Sequence, residues 1–382
     1  MVDFIQITFY HNPSLENVYL LANVSSLDKL LNPDILFFLV KIMGIAILLV
    51  VATIYLHLAK KKSVFNQLKT IKAIIDPLIS HIIIEDSTAT IKMQKKLKTL
   101  LTTNVAKRHT IDELIRSKQN YSGEVAEKIV LLYAELELKN YSLKKLKKNK
   151  AWHIQARGIQ ELYMMEQRDI YETIYQHTNN KNEFIRMEAQ MGVIHLIGFR
   201  GLTFLEIISH PITDWQQIKL LEQLRLYPDK EGLTLKIPYW LKSNNETVVV
   251  FAIRLAFEYH LYAMEAFIQS CLLHSSNMVR SQAVKTIIQL ETINTPQILV
   301  GHFKLASPNE QLLILDALQN IATEKEIPDL ELMLDHTNDT IKLKAAIALN
   351  KCSKRGLTIL NEKSKLISEP YARILKQVTS VS

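Results

Sequence analysis

Residues 277–290 read NMVRSQAVKTIIQL, and the order of residue types in this stretch decides the fold. Asn277 opens a helix by accepting hydrogen bonds from its unpaired N–H groups, Arg280 follows the opening turn, and the small Ala283 sits about seven positions in. The same order returns at 149–162 (NKAWHIQARGIQEL), 182–196 (NEFIRMEAQMGVIHL), 214–226 (DWQQIKLLEQLRL), 245–257 (NETVVVFAIRLAF), 309–321 (NEQLLILDALQNI) and 338–349 (NDTIKLKAAIAL). Successive starts lie 33, 32, 31, 32, 32 and 29 residues apart. A period this steady over seven units is the mark of a helical solenoid.

Small side chains recur at Ala156, Ala189, Ala252, Ala283, Ala317 and Ala345, where they let neighbouring helices approach to the short end of the packing range; Leu221 interrupts the series. A shorter second helix follows in each unit, opened by proline at Thr295-Pro296 and Ile327-Pro328, with His210-Pro211 ahead of the third window. Ser307-Pro308-Asn309-Glu310 has the form of a capping box. These repeated features resemble the HEAT-repeat family, especially its short bacterial form; the whole layout, together with the apolar run at 35–59, is similar to bacterial membrane-anchored HEAT-repeat proteins. In that family a cation after the opening turn braces the next unit, and Arg186, Arg280 and Lys342 match; Val249 and Leu313 stand where a charge is wanted. The break at Glu369-Pro370 and a last helix from Tyr371 are expected to close the open end. The resemblance further implies an association with envelope glycosyltransferases.

Upstream, residues 35–59 read ILFFLVKIMGIAILLVVATIYLHLA, followed by Lys60, Lys61 and Lys62. As a helix, this run is about 37 Å long, enough to cross a hydrocarbon core. Lys41 is its one charge and lies near the N-terminal end, where its stem can snorkel. Residues 60–150 hold 20 Lys/Arg against 9 Asp/Glu, whereas residues 151–382 hold 24 against 25, so the whole excess behind the net charge of +8 follows the apolar run. Positive flanks mark the cytoplasmic end. The expected topology is single-pass in a bacterial inner membrane, with an external tail (1–34), a transmembrane helix (35–59), a basic helical juxtamembrane connector (60–148) and a cytoplasmic solenoid (149–382). In the tail, residues 4–10 alternate weakly and residues 14–31 carry apolar side chains at helical spacing. Lys60, Lys61, Lys62, Lys144, Lys145, Lys147 and Lys148 are the candidate contacts to anionic lipid. A merely solvated basic face and phosphate binding compete with that reading, but the lysine clusters lack the aromatic interleaving of single-strand binders.

Chemistry is not legible in this chain. It contains no HExxH, no His followed directly by Glu, no CxxC and no GxGxxG, GxxxxGK[ST] or GxSxG. His195, within Val193–Ile197, reads as a hydrogen-bonded core histidine before a metal ligand, and Trp152, Trp215 and Trp240 read as core anchors. Cys271 and Cys352 are expected as free thiols. The fold expected is all-α: one spanning helix, a helical connector, and a right-handed α-solenoid of HEAT-like helix pairs. The function expected is a non-enzymatic scaffold with no catalytic, cofactor or metal site, docking a protein along its groove and touching membrane lipid, with no nucleic acid or small-molecule substrate. A membrane-tethered HEAT-like lyase or modifying enzyme is the alternative.

Overall fold

Charged, unbranched residues such as Lys60, Lys61 and Lys62 are good helix formers, and nothing after Ala59 stops a helix. In the computed structural model, which describes residues 33–84, 88–230 and 232–381, helix α1 runs unbroken from Pro33 to Ile84. The apolar run therefore has no structural boundary at 59. At 1.5 Å per residue its 52 residues extend about 78 Å, with Pro77 the only internal proline. The alternating stretch 4–10 and the periodic stretch 14–31 lie outside the described residues.

Two compact units divide at Glu113/Leu114, well ahead of the expected repeat start at 149. In the first unit, α1 changes character along its length. Leu36 to Leu58 present their large apolar side chains outward, Phe37 at 69% and Leu48 at 69% exposure, whereas Ile75, Ile79, Ile82 and Ile83 are buried. The buried end packs against α2 (Thr88–Leu100). Helix α3 (Asn104–Asn120) follows and carries the buried Ala106, His109, Thr110 and Ile111 in this unit.

The second unit contains only helices among its described residues. It opens with α4 (Glu124–Glu135), α5 (Leu138–Leu143) and a 3-10 turn at Lys144–Leu146. α5 and the turn pack on α6 (Trp152–Met164), so part of the expected connector is the first cap of the solenoid. The pairs then run α6 with α7 (Tyr171–Tyr175), α8 (Glu183–Ile197) with the 3-10 run Gly198–Glu206, α9 (Asp214–Leu224) with α10 (Leu233–Trp240), and α11 (Glu246–Glu258) with α12 (Glu265–Ser270). They continue with α13 (Asn277–Leu290) and α14 (Thr295–Phe303), α15 (Pro308–Ile321) and α16 (Ile327–Met333), and α17 (Asp339–Cys352) and α18 (Lys354–Leu366). Helix α19 (Tyr371–Val381) packs on α17 and α18.

First helices stack on first helices: α6 on α8, α8 on α9, α11 on α13, α13 on α15, α15 on α17. The small residues explain the approach, since Ala189, Ala252, Ala283 and Ala345 are wholly buried. Near Leu221, α9 and α11 are joined by Arg254, whose Nη1 donates to Gln217 Oε1 at 3.0 Å and whose Nη2 pairs with Asp214 at 2.8 Å.

The capping asparagines divide. Asn182, Asn245 and Asn338 cap as expected, Asn182 Oδ1 accepting from Phe184 N–H at 3.1 Å and Ile185 N–H at 3.2 Å. Elsewhere the cap lies one or two residues earlier, or at Ala151 in place of Asn149: Thr213 with Gln216 and Ser307 with Glu310 form capping boxes, and Ser276 precedes α13. A hydroxyl joined to a Gln or Glu three residues on satisfies two orphan donors where a lone Asp214 or Asn309 satisfies one.

Candidate functional site

The edge of the solenoid at the starts of the first helices carries large exposed side chains. Trp152, Phe184, Trp215 and Met278 occupy the first or second position of α6, α8, α9 and α13, at 47%, 43%, 56% and 44% exposure. Trp152 stacks on Phe184 with ring centroids 4.6 Å apart and planes 23° from parallel, and Lys219 lies over the Trp215 ring. Trp152 and Trp215 are therefore surface residues, against the expectation of core anchors. A first-turn side chain leans back toward the helix N-terminus, and at these two positions that leaves the indole on the surface. Trp240 is the core anchor of the three, 2% exposed.

Beside this ridge lies a groove of about 810 Å³, walled by Ile207, Ser209, Pro211, Tyr239, Asn245 and Met278 among others. Hydrogen bonds between neighbouring units build its floor. Asn179 Nδ2 donates to Ile207 O at 3.0 Å and Asn179 Oδ1 accepts from Ser209 N–H at 3.0 Å. Asn245 Nδ2 donates to His210 O at 2.9 Å, and Ser276 Oγ donates to Glu246 at 2.6 Å. Carboxylates at Glu183, Asp214 and Glu246 fill the first turns along the ridge, giving it an acidic margin.

A second cavity of about 840 Å³ is lined by Arg168, Leu196–Arg200 and Tyr227–Asp229. Behind it, His195 is half-buried against Tyr163, with Gln223 Nε2 at 3.4 Å from its Nδ1, and Tyr227 donates its hydroxyl proton to the His195 carbonyl. Burial, then the nearby Lys118 ammonium, holds the imidazole below its ordinary pKa. This is the environment of a hydrogen-bonded core histidine.

The sequence-predicted cations fall into separate groups. Lys60, Lys61 and Lys62 are exposed on α1, and Lys144, Lys147 and Lys148 are exposed in the second unit. Lys145 is not a surface cation. Its Nζ donates to both oxygens of the fully buried Glu161, at 2.5 and 2.7 Å, and it is 13% exposed. Arg157 Nε at 3.3 Å and Ser142 Oγ at 2.7 Å complete the shell of that carboxylate. A buried carboxylate recruits the nearest cation because unpaired burial is costly, which removes Lys145 from the candidate contacts to lipid.

The bracing cations reach backward rather than forward. Arg186 Nη1 donates to Asn180 O at 2.7 Å, and Arg280 Nη1 donates to His274 O and Ser275 O at 2.7 and 2.8 Å. Each seals the turn that ends the preceding unit. Lys342 instead pairs with Asp339 in its own first turn at 3.0 Å. Cys271 and Cys352 are both free thiols. One cluster escaped sequence reading, that of Asp76, His109 and Glu113 in the first unit. The i,i+4 spacing of His109 and Glu113 was the available signal; the third member, on another helix, was not legible.

No protein-family model and no curated protein matches the chain. Among solved structures it is similar to Kap95p bound to RanGDP, at 12% identity and TM-score 0.36, covering 82% of this chain and 46% of that one. It is similar also to human deoxyhypusine hydroxylase, at 13% identity and TM-score 0.26, covering 75% and 97%. A third is the complex of CpcE and CpcF of phycocyanin lyase from Nostoc, at 13% identity and TM-score 0.22, covering 71% and 94%.

Proposed function

We propose that this chain is a membrane-anchored HEAT-like scaffold, without catalytic activity of its own, that docks a polypeptide against the cytoplasmic face of a bacterial membrane. The observation that carries the reading is the exposure of the apolar half of α1. A core helix of a soluble protein hides such side chains, whereas every large apolar residue from Leu36 to Leu58 points outward, and the most apolar stretch of the helix has mean hydropathy 2.7 with none of it buried. In water that surface is a liability; in a bilayer it is the solvated face.

The aromatic ridge and its groove suit a protein partner. Flat exposed aromatics supply contact area at low entropic cost, and the carboxylates at Glu183 and Glu246 disfavour phosphate, which argues against nucleic acid and anionic headgroups at this edge. A neutral or basic polypeptide is the complementary ligand. An envelope glycosyltransferase is the partner class that the family resemblance implies.

The test uses the full chain in native membranes. Carbonate-resistant membrane association, protection of the N-terminal side from external protease only after truncation of the tail, and in-cell crosslinks from positions 184 and 215 to one partner are expected. Loss of those crosslinks in Phe184→Ala and Trp215→Ala, with the helical spectrum intact, supports docking at the ridge. A chain found wholly in the soluble fraction overturns the reading.

A further inference from the structure

From the free groups of the groove beside the ridge we infer that its occupant is a proline-rich polypeptide segment in the polyproline II conformation, with cations at its ends. This names the partner class for the docking site proposed above and rests on that reading. The groove wall repeats with the solenoid. Ile207 and Tyr239 stand one repeat length apart in sequence, as do Glu246 and Met278. Ile207, Tyr239 and Met278 are 50%, 61% and 44% exposed, and Pro211 is exposed too.

Hydrogen-bonding capacity decides which chain fits this wall. Glu206 already accepts from Lys236 Nζ at 2.7 Å and Glu246 from the Ser276 hydroxyl, and the Asn245 amide is engaged by Thr247 and the His210 carbonyl. Tyr239, Trp240, Lys242 and Asn244 are the polar side chains of the wall without a partner among the described residues. Each of them can donate, and the ammonium and the indole can do nothing else. Trp240 is 2% exposed, and a buried Nε1–H left without an acceptor is costly; a carbonyl drawn into the groove would supply one. An ordinary extended chain brings an N–H with every carbonyl, and each buried N–H needs an acceptor in turn. Proline brings the carbonyl alone. A polyproline II helix makes no internal hydrogen bonds, so its carbonyls are free for such donors, and its rings suit an aromatic-lined groove. Its rise fits as well. Three residues advance about 9.3 Å, close to the roughly 8–10 Å between packed helices, so every third residue meets the next unit. The carboxylates at Glu183 and Glu246, in the first turns of α8 and α11, favour lysine or arginine at the ends of the segment.

The experiment follows the fluorescence anisotropy of a labelled peptide of about twelve residues, prolines between terminal lysines, added to full-length protein in detergent. Saturable binding is expected. It should weaken by about tenfold or more when alanine replaces every proline, and further when glutamate replaces the lysines. Tyr239→Ala and Asn244→Ala, both at exposed positions, should each weaken binding by about threefold to tenfold with the helical spectrum unchanged. Trp240→Phe, which keeps an aromatic ring and removes the N–H, should do the same. Proline and alanine peptides that bind alike, or binding left unchanged by Tyr239→Ala and Asn244→Ala, overturn the inference. Crosslinks from positions 184 and 215 to a partner, with no proline peptide bound, would remove this occupant and leave docking at the ridge standing.

Discussion

Glu161 is wholly buried, and its surroundings show how this solenoid accommodates it. Tyr133 donates to Ser142 at 3.0 Å, Ser142 donates to Glu161, and Lys145 and Arg157 bring two cations to one carboxylate. Burial, offset in part by the Ser142 hydrogen bond, pushes the Tyr133 phenol well above its usual range, so it remains a donor. Removing one member of a buried pair leaves the other uncompensated. Lys145→Met should therefore cost about 3 kcal/mol, with Arg157 limiting the loss, whereas Lys145→Met with Glu161→Met should recover most of it; a urea double-mutant cycle reads both. The histidines carry a pH dependence of their own. Burial holds His177, His195 and His302 below the ordinary imidazole value. The unfolded chain then takes up protons first as pH falls, so their contribution is complete above about pH 6.5 and is lost below it. The urea midpoint should drop between about pH 7.5 and 5.5, and His302→Gln should flatten that slope.

Helix ends are where sequence reading and structure part. Three first helices stop with a non-glycine residue in left-handed backbone: Glu166 at φ 51°, His260 at φ 52° and Glu291 at φ 47°. After Glu166 and His260 the chain makes the paired bonds of a Schellman ending, Gln167 N–H to Leu162 O with Glu166 N–H to Tyr163 O, and Leu261 N–H to Ala256 O with His260 N–H to Phe257 O. Glycine is the usual signal for that ending, and its absence made these stops illegible even though the helices themselves were read from their period. Glu166 is retained for another reason, its ion pair with Lys118 at 2.6 Å. Glu291 is exposed and, among the described residues, no ion pair engages it. Glu291→Gly should stabilise the second unit by about 0.5–1 kcal/mol, because relief of left-handed strain exceeds the added unfolded-state entropy; a raised Tm with an unchanged spectrum checks it. Capping shows the same division. Asn182, Asn245 and Asn338 were legible from type alone, while Thr213 and Ser307 were chosen by a Gln or Glu three residues away. The exposed tryptophans were misread because residue type favours burial, and only position within the first turn decides against it.

Across the whole molecule, the second unit was the more legible half, because its order is one-dimensional. Polar contacts between units fall near one repeat length in sequence: Ser281 to Glu310, Lys344 to Asp316, Ser353 to Glu324 and Lys363 to Asp335. A regular spacing in sequence is what a nearest-neighbour stack must produce. The first unit has no internal repeat, so beyond the apolar run it was legible only as a basic helical connector, and the unbroken continuation of α1 to Ile84 was not. The two environments open to that run lead to opposite outcomes for one substitution. Ile47 and Leu49 are 59% and 62% exposed. If water surrounds them, Ile47→Lys with Leu49→Lys touches no packing and raises solubility. If lipid surrounds them, each lysine near the centre of the span costs about 2.5–3.5 kcal/mol of insertion free energy. The membrane reading therefore expects the double variant to leave the membrane fraction or be degraded before insertion, while the isolated 114–382 unit, which has its own core, keeps its Tm. A double variant that stays with the membrane as fully as the parent would remove the bilayer from the account of α1.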